Sequence, residues 1–493
     1  MSAAGATSFM ASDDALARCA ALIDASDLEL VRFVWCDTHG QTRGKTLTRP
    51  AALKALHHGV GMVSTLMLKD TSDRTAYKVF EPGLENTLPG FAYANNLLLQ
   101  PNPESFRVLP WAQKTGWLQC QPVFPDGRVV PLDTRAQLQS ALARLADHGL
   151  GMVCGLEIEF HIYRLQDAGH GPDRDPDAAA WPGLAPQVGL VHPGYNLLSE
   201  QWFDMAEEPL RIVQRTAQDL GLPLLSLEIE LGPSQVEAVF EATDALTAAD
   251  NMVLFRSAVQ QALRRAGYHA TFMCRPPFEQ IMSSGWHLHQ SLVRLADGGN
   301  AFMREAPAAH AHAREARFSL SDVGTHYLAG LLQHARGMTL MCTPTANGFG
   351  RFRPNALAPQ SILWGLDNRG AMLRVIGGVG DVATRIENRL GEPAANPYLY
   401  MAAQIHAGLS GIERGDEPPL ATESPYAEVD AQVRIPNHLK DAILAFEQDE
   451  AMRHGFGDDF VRHYSCLKTS EWQRFEAAED KLEFQRREYF SRI

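Results

Sequence analysis

Three short segments constrain the fold more than any bulk property does: "GLEIEF" (155–160), "GWHLHQS" (285–291) and "TRIENRL" (384–390). In each, charged or imidazole side chains alternate with apolar ones. A β-strand sends successive side chains to opposite faces, so alternation over this length specifies a strand with one apolar face. The other face then carries Glu157 with Glu159, His287 with His289, and Arg385 with Glu387 and Arg389. The pattern alone leaves two meanings open. The third segment could be an edge strand bearing a solvated ion ladder, or it could place a cation-holding carboxylate between guanidiniums that face a polyanion.

The rest of the chain narrows the choice. Its 493 residues predict two or three domains, and 45% hydrophobic with 21% charged residues places it among soluble globular proteins. A net charge of −14 without a basic run argues against nucleic acid as partner, and no apolar segment is long enough to span a bilayer. The seven cysteines show no CxxC spacing and the first residues lack a basic start and apolar core, which together predict a cytoplasmic protein with reduced thiols.

"LELVRFVWCDTHGQTRGKTLT" (28–48) reads as strand, turn and strand, and "NNLLLQPNPESFRVLPW" (95–111) adds another strand, so a small mixed sheet is expected to end near residues 116–131. Beyond it, Asp133 is placed to cap a helix that Gly149 ends. Strands then alternate with helices over 208–221 and 249–267, and the tail from about residue 436 is helical; the class is α+β. Stretches 166–187 and 413–425, rich in Pro, Gly and Asp, read as surface loops.

"EIELGPSQVE" (228–237) contributes Glu228, Glu230 and Glu237 around a Gly-Pro turn. With Glu157, Glu159, His287 and Glu387 this makes a carboxylate-rich ligand set, which suits Mg²⁺ or Mn²⁺ better than zinc. Taken singly, a pair of strand glutamates is a solvated face and an HxH is structural. Their conjunction with Arg351, Arg353, Arg369, Arg374, Arg385 and Arg389 is what phosphoryl transfer requires, because cations bridge phosphate oxygens and guanidiniums offset the charge on the moving group. A GxxxxGK[ST] loop is absent, so the chemistry is not that of a P-loop enzyme.

These segments, with "ATFMCRP", "PTANGFGRF", "DNRGAMLR" and "EPAANPYLYMAAQIHAGLSGI", occur in an order and spacing that resemble the glutamine synthetase family of bacterial class I type. The resemblance covers nearly the whole chain. It implies a small N-terminal β-grasp domain over 1–120, a large catalytic domain over 121–493, and a dodecamer of two hexameric rings with active sites between subunits. Carried over residue by residue, it puts one metal at Glu159, Glu230 and Glu237 and another at Glu157, His287 and Glu387. It directs His289, Ser291, Arg374 and Arg385 to ATP. Glu159, Ser283, Arg351 and Arg389 go to L-glutamate, and Arg369, Arg389 and Glu387 to the phosphoryl-transfer step.

The resemblance also has informative departures. The family's ammonium-binding glutamate falls on Leu357 in "RFRPNALAP", and no aspartate precedes Ser64 in "GVGMVSTLMLKDTSD". Met282, Ser283 and Gly350 replace residues usual around bound glutamate, and "PYAEVDAQVRIPNHL" has no equivalent of the adenylylation loop. An apolar amine pocket is expected from Ser64, Leu66, Trp286 and Leu357, with Met62, Val63 and Met67 nearby. This resembles the branch that couples glutamate to organic amines, and points to a hydrophobic alkylamine or an aniline-like arylamine. The alternatives are a polyamine-using γ-glutamyl ligase, an ammonia-using glutamine synthetase and a non-catalytic structural relative.

Overall fold

The computed structural model describes residues 11–166, 179–353 and 358–493. Most of the loop expected over 166–187, and Leu357, lie outside the described residues.

The N-terminal sheet starts with a hairpin of β1 (Leu30–Cys36) and β2 (Thr42–Thr48). Its turn is held by Asp37, whose carboxylate accepts the backbone N–H groups of His39 and Gln41 at 2.9 Å each. The helix Arg49–His58 crosses to β3 (Val60–Val63), followed by β4 (Asn96–Pro101), the short β5 (Arg107–Val108) and β6 (Thr115–Val123). The strand order is β2-β1-β6-β4-β3, with β6 parallel to β1, which is the β-grasp arrangement. Its own core includes Ile23, Phe33, Trp35, Leu97 and Leu118 and runs on to Leu132.

The second sheet has nine strands: β7 (Leu150–Leu165), β8 (Val188–Leu190), β9 (Leu224–Ile229), β10 (Gln235–Asp244), β11 (Tyr268–Thr271), β12 (Trp286–Arg294), β13 (Trp364–Leu366), β14 (Leu373–Ile376) and β15 (Arg385–Gly391). Its main path is β13-β14-β15-β12-β7-β10-β9, while β8 and β11 pair with the far end of β7. The strand β15 is therefore interior. Both its neighbours are paired and Glu387 has no exposed surface, so the solvated edge ladder is excluded.

Helices cover the apolar face. Asp133 caps Thr134–Asp147 as expected, accepting from Ala136 N at 3.0 Å, while Asp244 caps Ala245–Arg265 and Asn396 caps Pro397–Arg414. Phe160 of β7 stacks on Phe272 at 4.9 Å and meets Phe255 of the long helix edge-on. The two sheets are joined by polar contacts to the hairpin turn. Arg256 donates to the carbonyls of Pro393, Ala395 and Gly40 at 2.7, 2.9 and 3.1 Å, and Asn396 Nδ2 donates to Asp37 O at 2.9 Å. Gly40 is required there, since its φ is +78° and an added Cβ would stand 2.7 Å from the Arg256 guanidinium.

All seven cysteines are free thiols; six are buried and Cys466 is partly exposed. Among the described residues, no helix is long and apolar enough to cross a membrane.

Candidate active site

Strand register assembles the polar cluster. Across β7 and β12, Glu157 is opposite His287; across β12 and β15, His289 is opposite Glu387; across β14 and β15, Arg374 is opposite Glu387. On the other side of β7, Glu159 is opposite Glu237 of β10, which is opposite Glu228 of β9. Directly opposed residues on one face have Cβ atoms about 5 Å apart, so these side chains meet without any long loop to bring them together.

Glu159, Glu230 and Glu237 each offer a ligand atom within 4.8 Å of the others, as do Glu157, Glu237 and His287, and Glu157, His289 and Glu387. The six residues expected at two cations thus gather on one sheet face, but the second trio is more interlocked than expected. His287 Nδ1 lies 3.4 Å from Glu157 and 3.8 Å from Glu387, while His289 Nε2 lies 3.0 Å from Glu157. His289, expected at the nucleotide, stands in the same set. A bulge between Trp286 and Leu288 in the β12–β15 pairing coincides with this crowding.

The electrostatics test whether a cation fits. Burial, reinforced by the charges of Glu159 and Glu157, pushes the Glu237 carboxyl up to about 10. Burial and the charge of Glu230 likewise raise Glu159, and Glu230 is itself raised, mainly by burial. Three carboxyls that resist ionisation together are a site in which positive charge is missing, and a hard divalent cation supplies it. Burial holds the His287 imidazole down at about 4, with Arg389 adding to the effect, so it is neutral and can act as a ligand. Glu157 and Glu387 behave oppositely. Burial works to raise both, but the imidazoles of His287 and His289, joined at Glu387 by Arg389 and Arg374, hold them below the usual carboxylate range.

Arginines frame this cluster. Glu387 accepts from Arg374 at 3.0 Å and from Arg389, and Arg374 is braced by Asp367 through Nε at 2.9 Å. Arg385 Nε donates to His289 Nδ1 at 3.1 Å. Arg351 is buried, and its Nη1 donates to the carbonyls of Arg389, Leu390 and Gly391 at 3.0, 3.4 and 3.0 Å. Its other nitrogen, Nη2, packs over Gly285, where an added Cβ would be 2.5 Å away. Arg369 is exposed between β13 and β14 and makes no hydrogen bond to the cluster among the described residues. A cavity of about 210 Å³ beside the cluster is lined by Glu157, His289, Ser291 and Arg385, with Val239 and Phe240 as apolar wall. Ser283 is close by in sequence but its hydroxyl faces Arg275 at 3.3 Å.

Gln235 was not anticipated. Its Nε2 donates to Glu159 Oε2 and Ser284 Oγ at 3.0 Å each, while Gly285 N donates to the same Glu159 oxygen at 2.8 Å. Glu159 is thereby held in one orientation. The two-residue spacing from Gln235 to Glu237 puts both on one strand face, but the pairing of Gln235 with Glu159 on another strand leaves no signal in the sequence.

The expected amine pocket is corrected at Trp286. This residue has no exposed surface and packs edge-on against Tyr400 at 5.2 Å, on the helix-covered face of β12. The alternation that sends His287 and His289 to the polar face sends Trp286 away from it. Ser64 and Leu66 belong to the N-terminal part: Ser64 donates to Asn95 at 2.8 Å, and Met62 and Met67 fill the N-terminal core against which Leu66 packs. Nothing within one chain brings them into contact with the carboxylates among the described residues.

The model of the glutamine synthetase catalytic domain matches residues 131–487. The chain belongs to the glutamine synthetase family. Within that family its catalytic domain is that of an ATP-dependent ligase. It is 36% identical to a gamma-glutamylanilide synthase of an Acinetobacter species, covering 97% of this chain and 96% of that one. It is 29% identical to the gamma-glutamylethanolamide synthetase GlnA4 of Streptomyces coelicolor, covering 94% of both chains. Among solved structures, apo GmaS without ligand superposes with a TM-score of 0.74 at 28% identity, covering 94% of this chain and 97% of the other.

Proposed function

We propose that this glutamine synthetase relative joins the γ-carboxylate of L-glutamate to the amino group of a hydrophobic alkylamine or an aniline-like arylamine, using ATP and passing through γ-glutamyl phosphate. The observation that carries the reading is the gathering of Glu157, Glu159, Glu230, Glu237, His287 and Glu387 on one sheet face beside Arg351, Arg374, Arg385 and Arg389. The similarity to a gamma-glutamylanilide synthase supports the arylamine.

A carboxylate resists attack by an amine because its leaving group would be oxide; phosphorylation supplies a good leaving group. Mg²⁺ or Mn²⁺, held at Glu159–Glu230–Glu237 and at Glu157–His287–Glu387, would neutralise phosphate charge and align the reacting oxygens. The chain's own groups do the rest. Ser291, His289 and Arg385 line the cavity assigned to the nucleotide, with Arg374 braced beside it. Arg351 offers Nη2 to the glutamate carboxylate, with Ser283 and Glu159 near the same substrate. Arg389 and Arg369 face the phosphoryl group in transit, Arg369 moving in from its exposed turn. An arylamine is neutral at pH 7, so its nitrogen attacks the acyl phosphate without prior deprotonation. The C–N bond forms as the C–O bond to phosphate breaks, the departing phosphate takes the nitrogen's proton, and Leu357 stands where a carboxylate base would otherwise be. The apolar body of the amine is received by Leu357 and by Leu66 of a neighbouring subunit in a cytoplasmic double-ring dodecamer, with Ser64, buried and bonded to Asn95, fixing the backbone beside Leu66.

The test is phosphate release with glutamate, ATP and a panel of ammonia, isopropylamine, ethanolamine, putrescine and aniline. Turnover is expected with the apolar amines and little with ammonia; equal turnover with ammonia returns the chain to glutamine synthesis. Leu357→Glu should raise ammonium use relative to apolar amines, and an unchanged ratio removes Leu357 from the pocket.

A further inference from the structure

We propose that Glu392 is a positioning residue that sets the Arg351 guanidinium for substrate, acting through the Thr345–Gly348 turn. The inference rests on the reading of Arg351 as the glutamate-carboxylate ligand. Glu392 directly follows β15, has no exposed surface, and belongs to none of the three ligand trios. Its carboxylate accepts Thr345 N at 2.7 Å with one oxygen and Thr345 Oγ1 at 2.9 Å with the other. Thr345 Oγ1 in turn accepts Gly348 N at 3.0 Å. Gly348 begins the single helical turn Gly348–Arg351, and the Glu392 carboxylate fills the space its side chain would need: an added Cβ would be 2.4 Å from Glu392 Oε2.

The turn is therefore tied at its start to the residue that follows the catalytic strand. Its last residue, Arg351, is tied to the carbonyls of Arg389, Leu390 and Gly391 on that same strand. These two attachments fix the root and the tip of one side chain, and the tip attachment consumes Nη1 alone. Nη2 stays packed over Gly285, where an added Cβ would stand 2.5 Å from it and 3.3 Å from His287 Nε2. A second carboxylate, Glu471, accepts Ala346 N at 3.3 Å and is paired with Lys468 at 2.9 Å, so the turn keeps an anchor when Glu392 is changed. A shift of about 1 Å in a substrate-binding group is enough to weaken binding strongly.

The experiment measures KM for glutamate, KM for ATP, kcat and thermal midpoint for the wild-type enzyme, Glu392→Gln, Thr345→Val, Thr345→Ser and Arg351→Lys. Glu392→Gln and Thr345→Val are expected to raise KM for glutamate about tenfold or more with KM for ATP unchanged, and Thr345→Ser, which keeps the hydroxyl, is expected to restore it. A lowered thermal midpoint with an unchanged KM for glutamate in both variants shows Glu392 to be merely structural and overturns the proposal. If Glu392→Gln fails to fold, the Thr345→Val and Thr345→Ser pair decides alone. An unchanged KM for glutamate in Arg351→Lys overturns the underlying reading of Arg351, whatever Glu392 does.

Discussion

At Glu237 a single carboxyl links pH, metal and stability. Without metal its folded pKa lies near 10, against an ordinary value of 4.5. The folded state thus holds a proton that the unfolded chain has lost throughout that window. Its contribution to stability is complete below 4.5 and falls as pH rises toward 10. A divalent cation replaces the proton and reverses the penalty. The thermal midpoint of metal-free protein should therefore drop between about pH 6 and pH 9, and added Mg²⁺ should raise it more at the higher pH. Calorimetry in buffers of different ionisation heat should register proton release on binding; a metal affinity flat with pH would contradict the shared protonation. Glu387 differs, because it is already compensated by Arg374 and Arg389. Glu387→Gln leaves the buried Arg389 guanidinium without its carboxylate and Arg374 with Asp367 alone, and should cost about 3 kcal/mol in urea unfolding, as well as activity.

Among the elements, β12 shows both what the sequence disclosed and what it hid. The period-two pattern placed His287, His289 and Ser291 on the polar face, and β7 and β15 obeyed the same rule for Glu157 with Glu159 and for Arg385, Glu387 and Arg389. Parity also assigns Trp286 to the core, and the expectation that it lines a pocket had relied on closeness in sequence alone. Trp286→Ala should accordingly lower stability by about 3–5 kcal/mol without changing the ratio of turnover between aniline and ammonia; a selective loss of aniline use would restore the pocket role. What alternation cannot disclose is pairing between distant segments. The grip of Gln235 on Glu159, the brace of Asp367 on Arg374 and the tie of Glu392 to Thr345 depend on strand register and loop path. The family motifs supplied the cation residues, whereas these supporting groups needed coordinates.

For the whole molecule, the N-terminal part and the catalytic part meet along a seam of several polar contacts, among them Gln119 to Asp250, Thr71 and Ser72 to Glu488, and one hairpin turn. Arg256 and Asn396 bind the backbone of residues 37–40 from the catalytic side, and Gly40 admits the guanidinium only because it has no side chain. Gly40→Ala should weaken this seam through both crowding and a strained backbone. Limited proteolysis should then cut between the sheets sooner than in the wild type, and an unchanged cleavage rate would show that the seam's strength lies elsewhere. The same molecule offers a practical handle in its sulfur chemistry. Burial drives the Cys19 thiol up to about 11 and raises Cys36, Cys120, Cys154, Cys274 and Cys342 further, so six of the seven are poor nucleophiles at neutral pH. A maleimide fluorophore should therefore label Cys466 alone, and because Cys466 borders Tyr77 of the N-terminal part, its emission would report the separation of the two sheets in real time.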